Sequence, residues 1–337
     1  MTNSILHRIK DRYYLHRYIF PFIKRNEERK ISNNNTLCVF CHPRGGSTWL
    51  MEILSEMSRS CYFDEPLLRS PYLTNADLPF INMRKIREIA ELGFYFEQPI
   101  PINENWPEAY KLFTKLLKGQ AMSIGLYQES GLKKLSKADF YMIKFNYGHL
   151  LMHWLINNFQ FRSILLTRHP CAVVGSQLQH KWFKNLNFEK NKQIPDFLFN
   201  YIFKKYENIY HSINSIEEYF AFLWSLRIKE TFCKDINKNN YITVAYESLI
   251  ANYPNEISRI FNYLDKQPPQ KAFEHFDIPS KSSEKYAFSK IGKSIQLKTW
   301  QEYLTKTQIK NILNIVEKFE IDIYSSALEP DYSKLYK

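Results

Sequence analysis

Glycine and cysteine are scarce in this chain, and a long apolar run is missing. Nine glycines in 337 residues, beside 16% aromatic residues, argue against collagen-like repeats, flexible linkers and disorder. Five scattered cysteines form no disulfide framework, and their odd number is typical of a reducing compartment. The sequence also lacks the roughly 18 uncharged apolar residues of a membrane span and the apolar core of a signal peptide. These absences predict a globular, cytoplasmic protein.

The charges of the chain are unbalanced. Lys and Arg number 46 against 34 Asp and Glu, which gives a net charge of +12 at neutral pH. Such an excess predicts an anionic partner, which could be a nucleotide, an acidic glycan, a membrane surface or a nucleic acid. We do not expect a nucleic acid, because no motif that reads one accompanies the charge.

Four short apolar segments predict buried strands, and a segment of helical periodicity follows each. The strands are predicted at Thr36–Cys41, Phe140–Phe145, 161–167 and Tyr241–Ala245. The helices that follow them are predicted at 49–58, 149–159, 171–182 and 254–264, with a last helix near 308–319. Strands that alternate with helices imply a parallel sheet covered on both faces. The predicted fold class is therefore α/β, with three layers.

The chain divides into a basic, aromatic N-terminal segment, residues 1–35, and a single domain, residues 36–337. Within the N-terminal segment, residues 7–24 are compatible with a helix docked on the domain or with an amphipathic helix on a membrane surface. The domain has two long, charged, mostly helix-like insertions, at about 66–137 and 185–235. In a parallel α/β fold, ligands bind at the carboxyl edge of the sheet. We therefore expect the insertions to form the walls of a substrate site.

The segment Pro43-Arg44-Gly45-Gly46-Ser47-Thr48, here called the phosphate loop, joins the first strand to the first helix. A helix N-terminus with preceding glycines gathers backbone N–H groups around an anion. The glycines allow close approach, the two hydroxyls add donors, and Arg44 adds a bidentate cation. The loop lacks the Lys and the spacing of a Walker A motif, which disfavours ATP-dependent kinase chemistry. It predicts a site for a 5′-phosphate or, failing that, an ordinary glycine turn.

A second segment, Arg168 to Ser176, also follows a strand and opens a helix. The cation at the strand end and the hydroxyl eight residues later could together bind another phosphate. Taken with the phosphate loop, this pair predicts a nucleotide with phosphates at both the 5′ and the 3′ position.

The two segments resemble the phosphate-binding motifs of the sulfotransferase family, and the resemblance extends over about 36–324. It implies a P-loop-type fold that binds the donor 3′-phosphoadenosine-5′-phosphosulfate (PAPS), releases adenosine 3′,5′-bisphosphate (PAP) and needs no metal. Tyr246-Glu247-Ser248-Leu249 is similar to a segment whose Tyr lies by the adenine, and Trp49 takes the position of a Trp that stacks on that ring. Lys290 and Lys293 resemble a late basic loop over the 3′-phosphate.

The chain departs from this family pattern at the catalytic base. Asn146 stands where the cytosolic branch has a catalytic His, and Arg44 stands where that branch has Lys. Glu65, which is followed by Pro, resembles the acidic residue of carbohydrate-type and bacterial members, so it is the predicted base, with Asp64 as its local competitor. Lys144 is predicted to add positive charge near the sulfuryl group.

These expectations describe a sulfotransferase that acts on a hydroxyl acceptor, predicted to be a carbohydrate or a glycolipid. Two alternatives stay open at this stage: a nucleotide-dependent kinase on a P-loop fold, and a non-catalytic protein that binds glycans or membranes. Four tryptophans are either sugar platforms or core residues, namely Trp106, Trp154, Trp182 and Trp224.

Overall fold

Five parallel strands form one sheet at the centre of the protein. A computed structural model describes residues 10–69, 99–120, 131–181, 200, 202–234, 240–281 and 293–336. The strands are β1 (Thr36–Cys41), β2 (Ser60–Asp64), β3 (Phe140–Phe145), β4 (Arg162–Thr167) and β5 (Tyr241–Ala245). Their order is β2-β3-β1-β4-β5, and each neighbouring pair is parallel. The predicted α/β class is confirmed.

Helices cover both faces of the sheet. In chain order they are α1 (Phe20–Arg25), α2 (Ser47–Leu54), α3 (Pro66–Arg69), α4 (Pro107–Leu117), α5 (Met152–Asn158), α6 (Pro170–Gln179), α7 (Glu207–His211), α8 (Ile216–Glu230), α9 (Tyr246–Ala251), α10 (Tyr253–Tyr263), α11 (Gln270–Glu274), α12 (Lys293–Gln296), α13 (Thr299–Tyr303), α14 (Lys306–Lys318) and α15 (Tyr332–Leu335). A π-helical turn, Leu15–Ile19, precedes α1. Short 3₁₀ turns lie at Leu132–Lys137, His149–Leu151, Phe203–Tyr206 and His275–Asp277.

Strand β1 is apolar from Leu37 to Cys41 because both of its faces are buried. Leu37, Val39 and Cys41 pack into the core that contains α2 and α10. The residues between them, Cys38 and Phe40, pack into the opposite core with α4 and α5. Side chains of a strand alternate between its faces, so two apolar layers require an unbroken apolar run.

The sequence pattern does not predict β2. The segment Ser60–Asp64 contains no β-branched side chain and runs directly into Glu65 and Pro66, so its apolar run is limited to Cys61, Tyr62 and Phe63. It forms a strand because β3 provides a neighbour, with Asp64 in register with Lys144. The pairing places two ionisable residues side by side at the sheet edge.

The N-terminal segment docks on the domain. Its residues Leu15, Ile19 and Phe22 are buried in the core on one side of the sheet. Arg25 follows them and donates hydrogen bonds to the carbonyls of Leu135 at 2.9 Å and Ala138 at 2.7 Å. Of the two arrangements expected for this segment, the docked helix is present. In the ranges that the structure describes, no helix has the length and apolarity needed to cross a membrane.

Helix α8 lies in the region of the second insertion. It packs against α6 and α14 as a core helix, and the wall of a substrate site expected from this insertion stays a prediction. It begins with a capping box, in which the Ser215 side chain accepts from the Glu218 N–H and the Glu218 carboxylate accepts from the Ser215 N–H. Trp224, at its middle, is 1% exposed. The helix is buried because apolar residues occupy much of its circumference.

Candidate active site

The carboxyl ends of all five strands meet at one edge, because the sheet is parallel. The chain passes from central β1 to β2 on one side and later to β4 on the other side. A reversal of this kind leaves a crevice beyond the central strand, where α/β proteins bind ligands. The phosphate loop lies at this position.

The phosphate loop is a tight turn that ends in a helix N-terminus. Arg44 and Gly46 lie in the left-handed region, with φ of 70° and 99°. The Gly45 N–H donates to the His42 carbonyl at 2.8 Å and closes the turn. The hydrogen bonds of α2 begin with the Leu50 N–H, which donates to the Gly46 carbonyl at 3.2 Å. The backbone N–H groups before it belong to the first turn, where a helix has no carbonyl of its own to accept from them and an anion can bind.

The glycines of the loop are required by their surroundings. A Cβ on Gly45 would lie 2.6 Å from the Cys41 Sγ, and a Cβ on Gly46 would lie 2.4 Å from the Tyr246 ring. The loop therefore packs directly on β1 and on the start of α9. A larger residue at either position would push the loop away from its support.

The structure brings the second motif to the phosphate loop. The Arg44 Nε–H donates to the Ser176 Oγ at 3.0 Å. Arg168 donates through Nη1 to the Arg44 carbonyl at 3.1 Å, and its guanidinium lies 4.2 Å from the centroid of the Tyr246 ring. Four residues predicted to bind the nucleotide thus lie together. Arg44 is the link between the two motifs.

A buried network supports Arg168. The carboxylate of Glu247 accepts from the His169 N–H at 2.8 Å and from the Tyr324 hydroxyl at 3.1 Å. The Trp224 indole donates to the Arg168 carbonyl at 3.1 Å. Burial raises the pKa of Glu247 above its usual value. From the sequence, Glu247 was recognised only as part of a motif and Trp224 only as a sugar platform or core residue, because their contacts with this segment are tertiary.

Three buried ionisable residues, here called the Lys144 cluster, lie at the ends of β2 and β3. They are Asp64, Glu65 and Lys144, whose side chains are 9%, 6% and 7% exposed. The Lys144 ammonium lies 2.5 Å from Asp64 Oδ1 and 3.5 Å from Glu65 Oε1. Two carboxylates therefore share one ammonium, and Asp64 makes the closer ion pair.

Asn146 connects the Lys144 cluster to the phosphate loop. Its backbone N–H donates to Glu65 Oε2 at 3.0 Å, and its side-chain oxygen accepts from the Ser47 hydroxyl at 2.9 Å. Glu65 adopts the left-handed conformation, with φ of 51°, and its own N–H donates to the Lys144 carbonyl at 3.2 Å. From the sequence, Asn146 was considered only as a residue that cannot act as the base. Its two hydrogen bonds instead join Glu65 to Ser47.

The cluster shifts the pKa of two of its members. Burial, together with the negative charge of Asp64, raises the pKa of Glu65 to about 7, although Lys144 and the Asn146 N–H oppose the shift. Burial by itself would lower the pKa of Lys144, but the charges of Glu65 and Asp64 outweigh it and raise that pKa. Near neutral pH a cationic lysine therefore lies beside a carboxyl that can exchange a proton.

The residues predicted for the adenine region lie deeper than expected. Trp49 is 4% exposed and stacks on Tyr253, with 5.7 Å between ring centroids. The Tyr246 hydroxyl donates to Gln296 Oε1 at 3.3 Å. The predicted contacts of Trp49 and Tyr246 with adenine stay predictions. Lys290 lies outside the described residues, and of Lys293 only the backbone is described, at the start of α12.

Two of the four candidate sugar platforms are core residues. Trp154 and Trp224 are each 1% exposed, so neither can present a ring face to a sugar. Trp106 is partly buried against the same core as Trp154, and Trp182 lies outside the described residues. The platform hypothesis is wrong for Trp154 and Trp224.

Two buried histidines lie close to the site. The rings of His42 and His149 are 4.6 Å apart between centroids, and both are fully buried. Burial holds the pKa of each well below its usual value, so both are neutral. Within the described ranges, no three His, Cys, Asp or Glu side chains cluster closely enough to hold a metal ion.

The profile of the sulfotransferase domain family matches residues 35–319. The chain therefore belongs to the PAPS-dependent sulfotransferase family, and it is a sulfotransferase. Membership of this family excludes both alternatives, the nucleotide-dependent kinase and the non-catalytic protein that binds glycans or membranes. No curated protein matches the chain.

Several solved structures are similar to this chain at low sequence identity. The sulfotransferase STF9 from Mycobacterium avium has 13% identity, covering 95% of this chain and 85% of that one, with a TM-score of 0.45. The sulfotransferase domain of the olefin synthase from Synechococcus PCC 7002 has 16% identity, covering 90% and 98%, with a TM-score of 0.42. Mouse sulfotransferase SULT7A1, complexed with PAP, has 13% identity, covering 86% of each chain, with a TM-score of 0.41.

Proposed function

We propose that this sulfotransferase moves the sulfuryl group of PAPS to a hydroxyl of a carbohydrate or glycolipid, with Glu65 as the general base. The observation that carries the proposal is the position of Glu65. It is a buried carboxylate with a pKa of about 7, joined through Asn146 to Ser47 of the phosphate loop. A base is most effective when its pKa lies near the working pH.

The proposed reaction is an in-line displacement at sulfur. The acceptor oxygen forms a bond to sulfur, the bond from sulfur to the 5′-phosphate oxygen breaks, and its electron pair stays on that oxygen. Glu65 takes the acceptor proton. Arg44 and the N–H groups of the phosphate loop stabilise the charge that develops on the leaving phosphate, and Lys144 adds a cation beside the base. PAP is the product.

The proposed nucleotide site has a part that recognises the 3′-phosphate. Arg168, a permanent cation, and Ser176 form this part, and hydrogen bonds of 3.1 and 3.0 Å join them to Arg44 of the 5′ side. Gly45, Gly46, Ser47, Thr48 and Trp49 belong to the 5′ side, and Tyr246, Lys290 and Lys293 are proposed to complete the pocket.

We expect Ser176→Ala to weaken PAP binding about tenfold and to leave adenosine 5′-phosphosulfate, which has no 3′-phosphate, unaffected. The reason is that a hydrogen bond to a charged group contributes about 1.5–3 kcal/mol. Titration calorimetry with both nucleotides measures the difference. Ser258→Ala is the matched control, since Ser258 is also a helical serine and donates only to a carbonyl of its own helix, that of Pro254. Equal losses for both nucleotides would contradict the assignment.

The class of acceptor is tested by transfer of radiolabelled sulfate from PAPS. The panel contains neutral and acidic oligosaccharides, glycolipids and a simple phenol, and we expect label on a sugar hydroxyl. The support is the Glu65-Pro66 segment, which resembles carbohydrate-type members. Label on the phenol alone would overturn the carbohydrate class and leave sulfuryl transfer itself intact.

We place the protein in the cytoplasm, with a peripheral membrane contact through its N-terminal helix. Exposed basic and aromatic side chains support this contact: Tyr13 is 56% exposed, and Lys10 and Arg17 are exposed as well. Sedimentation with anionic vesicles checks the contact, and recovery of the protein in the supernatant alone would contradict it.

A further inference from the structure

Asp64 and Glu65 are adjacent in sequence, but their carboxylates make different contacts. Asp64 ends β2 in register with Lys144, so their side chains lie next to each other on one face of the sheet. Glu65 follows in the left-handed conformation, which turns its carboxylate toward the Asn146 N–H. Its Oε1 lies 3.5 Å from the ammonium that Asp64 contacts at 2.5 Å.

We propose that Asp64 is a positioning residue, whose carboxylate keeps the Lys144 ammonium closer to itself than to Glu65 and so keeps Glu65 available to accept the acceptor proton. The inference rests on the proposed role of Glu65 as the base. It assigns the two carboxylates different tasks, with Asp64 as the counter-ion of Lys144 and Glu65 as the proton acceptor.

The energetics of a buried ion pair support this division. Attraction between opposite charges rises steeply at short distance in a poorly screened interior, so a carboxylate in direct contact with an ammonium is a weak base. Asp64 is in direct contact, whereas Glu65 is one ångström farther from the same nitrogen, at 3.5 Å against 2.5 Å. The ammonium therefore neutralises the charge of Asp64 more than that of Glu65.

Removal of the Asp64 charge would lower the pKa of Glu65 in two ways. The charge of Asp64 raises the pKa of Glu65, and the charge of Lys144 lowers it. Without Asp64, the first effect is lost and the second grows, because the ammonium has only Glu65 to pair with in this cluster. Both changes favour the ionised carboxylate.

The other groups around the cluster do not cancel this effect. From β3 and the residues after it come Lys144 and the Asn146 N–H, and from β1 comes the thiol of Cys41. Burial raises the pKa of Cys41 to about 12, so the thiol is uncharged. The phosphate loop contributes Ser47 through Asn146. Among the described residues, the charges within the cluster itself therefore dominate.

The test compares the pH dependence of turnover in the wild type and in Asp64→Asn. The wild type should lose activity below about pH 7, where Glu65 becomes protonated. This fall in turnover is the acidic limb of the pH profile. In Asp64→Asn we expect the acidic limb to move down by about one pH unit or more. The plateau rate should fall as well, because Glu65 has become a weaker base. Asp139→Asn is the matched control: Asp139 pairs with Arg59 at 2.6 Å on the surface, and its profile should be that of the wild type.

Three outcomes separate the hypotheses. An acidic limb that stays in place in folded Asp64→Asn would overturn the positioning role, because a merely structural residue lowers the rate at every pH equally. Abolished turnover in Asp64→Asn with retained turnover in Glu65→Gln would make Asp64 the base, and the proposed base itself would then have failed. Restoration of the wild-type limb in Asp64→Glu would support the positioning role.

A second variant decides the question if Asp64→Asn does not fold. Lys144→Gln removes the ammonium that lowers the pKa of Glu65, so the acidic limb should move to higher pH in whatever turnover remains. Folding is verified by thermal unfolding and by PAP binding. An unmoved limb in this variant would overturn the inference.

Discussion

Replacement of Glu65 with glutamine is expected to reduce turnover about 10²- to 10⁴-fold, while PAP binding stays within a few-fold of the wild type. The amide keeps the shape of the side chain and can still accept the Asn146 N–H, but it cannot take a proton. Loss of turnover with retained binding separates a chemical role from a structural one. The measurements are labelled sulfate transfer and titration calorimetry with PAP.

The control for this variant is Glu320→Gln. Glu320 has φ of 55°, close to the 51° of Glu65, but its side chain is 87% exposed and lies 3.4 Å from Lys229 at the surface. The substitution therefore makes the same chemical change on the same backbone conformation, away from the site. Turnover of Glu65→Gln close to that of Glu320→Gln would refute Glu65 as the base.

Replacement of Arg44 with alanine is expected to reduce transfer about 10²- to 10³-fold, the usual effect of removing one donor that stabilises developing charge. The side chain also bonds Ser176, so PAP binding should weaken as well. The fold should persist, because Arg168 bonds the backbone carbonyl of Arg44 and that contact does not need the side chain. Lysine at this position, as in the cytosolic branch of the family, should restore part of the activity.

Arg59→Ala provides the matched control for Arg44→Ala. Arg59 also has a left-handed backbone, with φ of 60° against 70° for Arg44, and its guanidinium pairs with Asp139 at the surface. Any cost of placing alanine at a position with a left-handed backbone is therefore the same kind of cost in both variants. Wild-type transfer by purified Arg44→Ala would rule out the assigned role of Arg44.

Much of the fold could be predicted from local patterns. The bounds of β1, β3 and β5 agree with the prediction to the residue, and β4 begins one residue later, at Arg162. These strands are recognisable because burial on both faces requires segments that are mostly apolar. Helix α2 begins at Ser47, two residues before the predicted start, because the loop hydroxyls belong to its first turn.

The sequence by itself determined that the chain would form a parallel α/β sheet, and it predicted an anion site at the phosphate loop. Both follow from local chemistry, namely alternating apolar strands and helices, and glycines before a helix N-terminus. Only the tertiary structure decided that β2 exists, that Arg44 bonds Ser176, and that Lys144 pairs more closely with Asp64 than with Glu65. The reason is physical: a short strand and a buried ion pair depend on partners distant in sequence, and no local pattern encodes the distances between them.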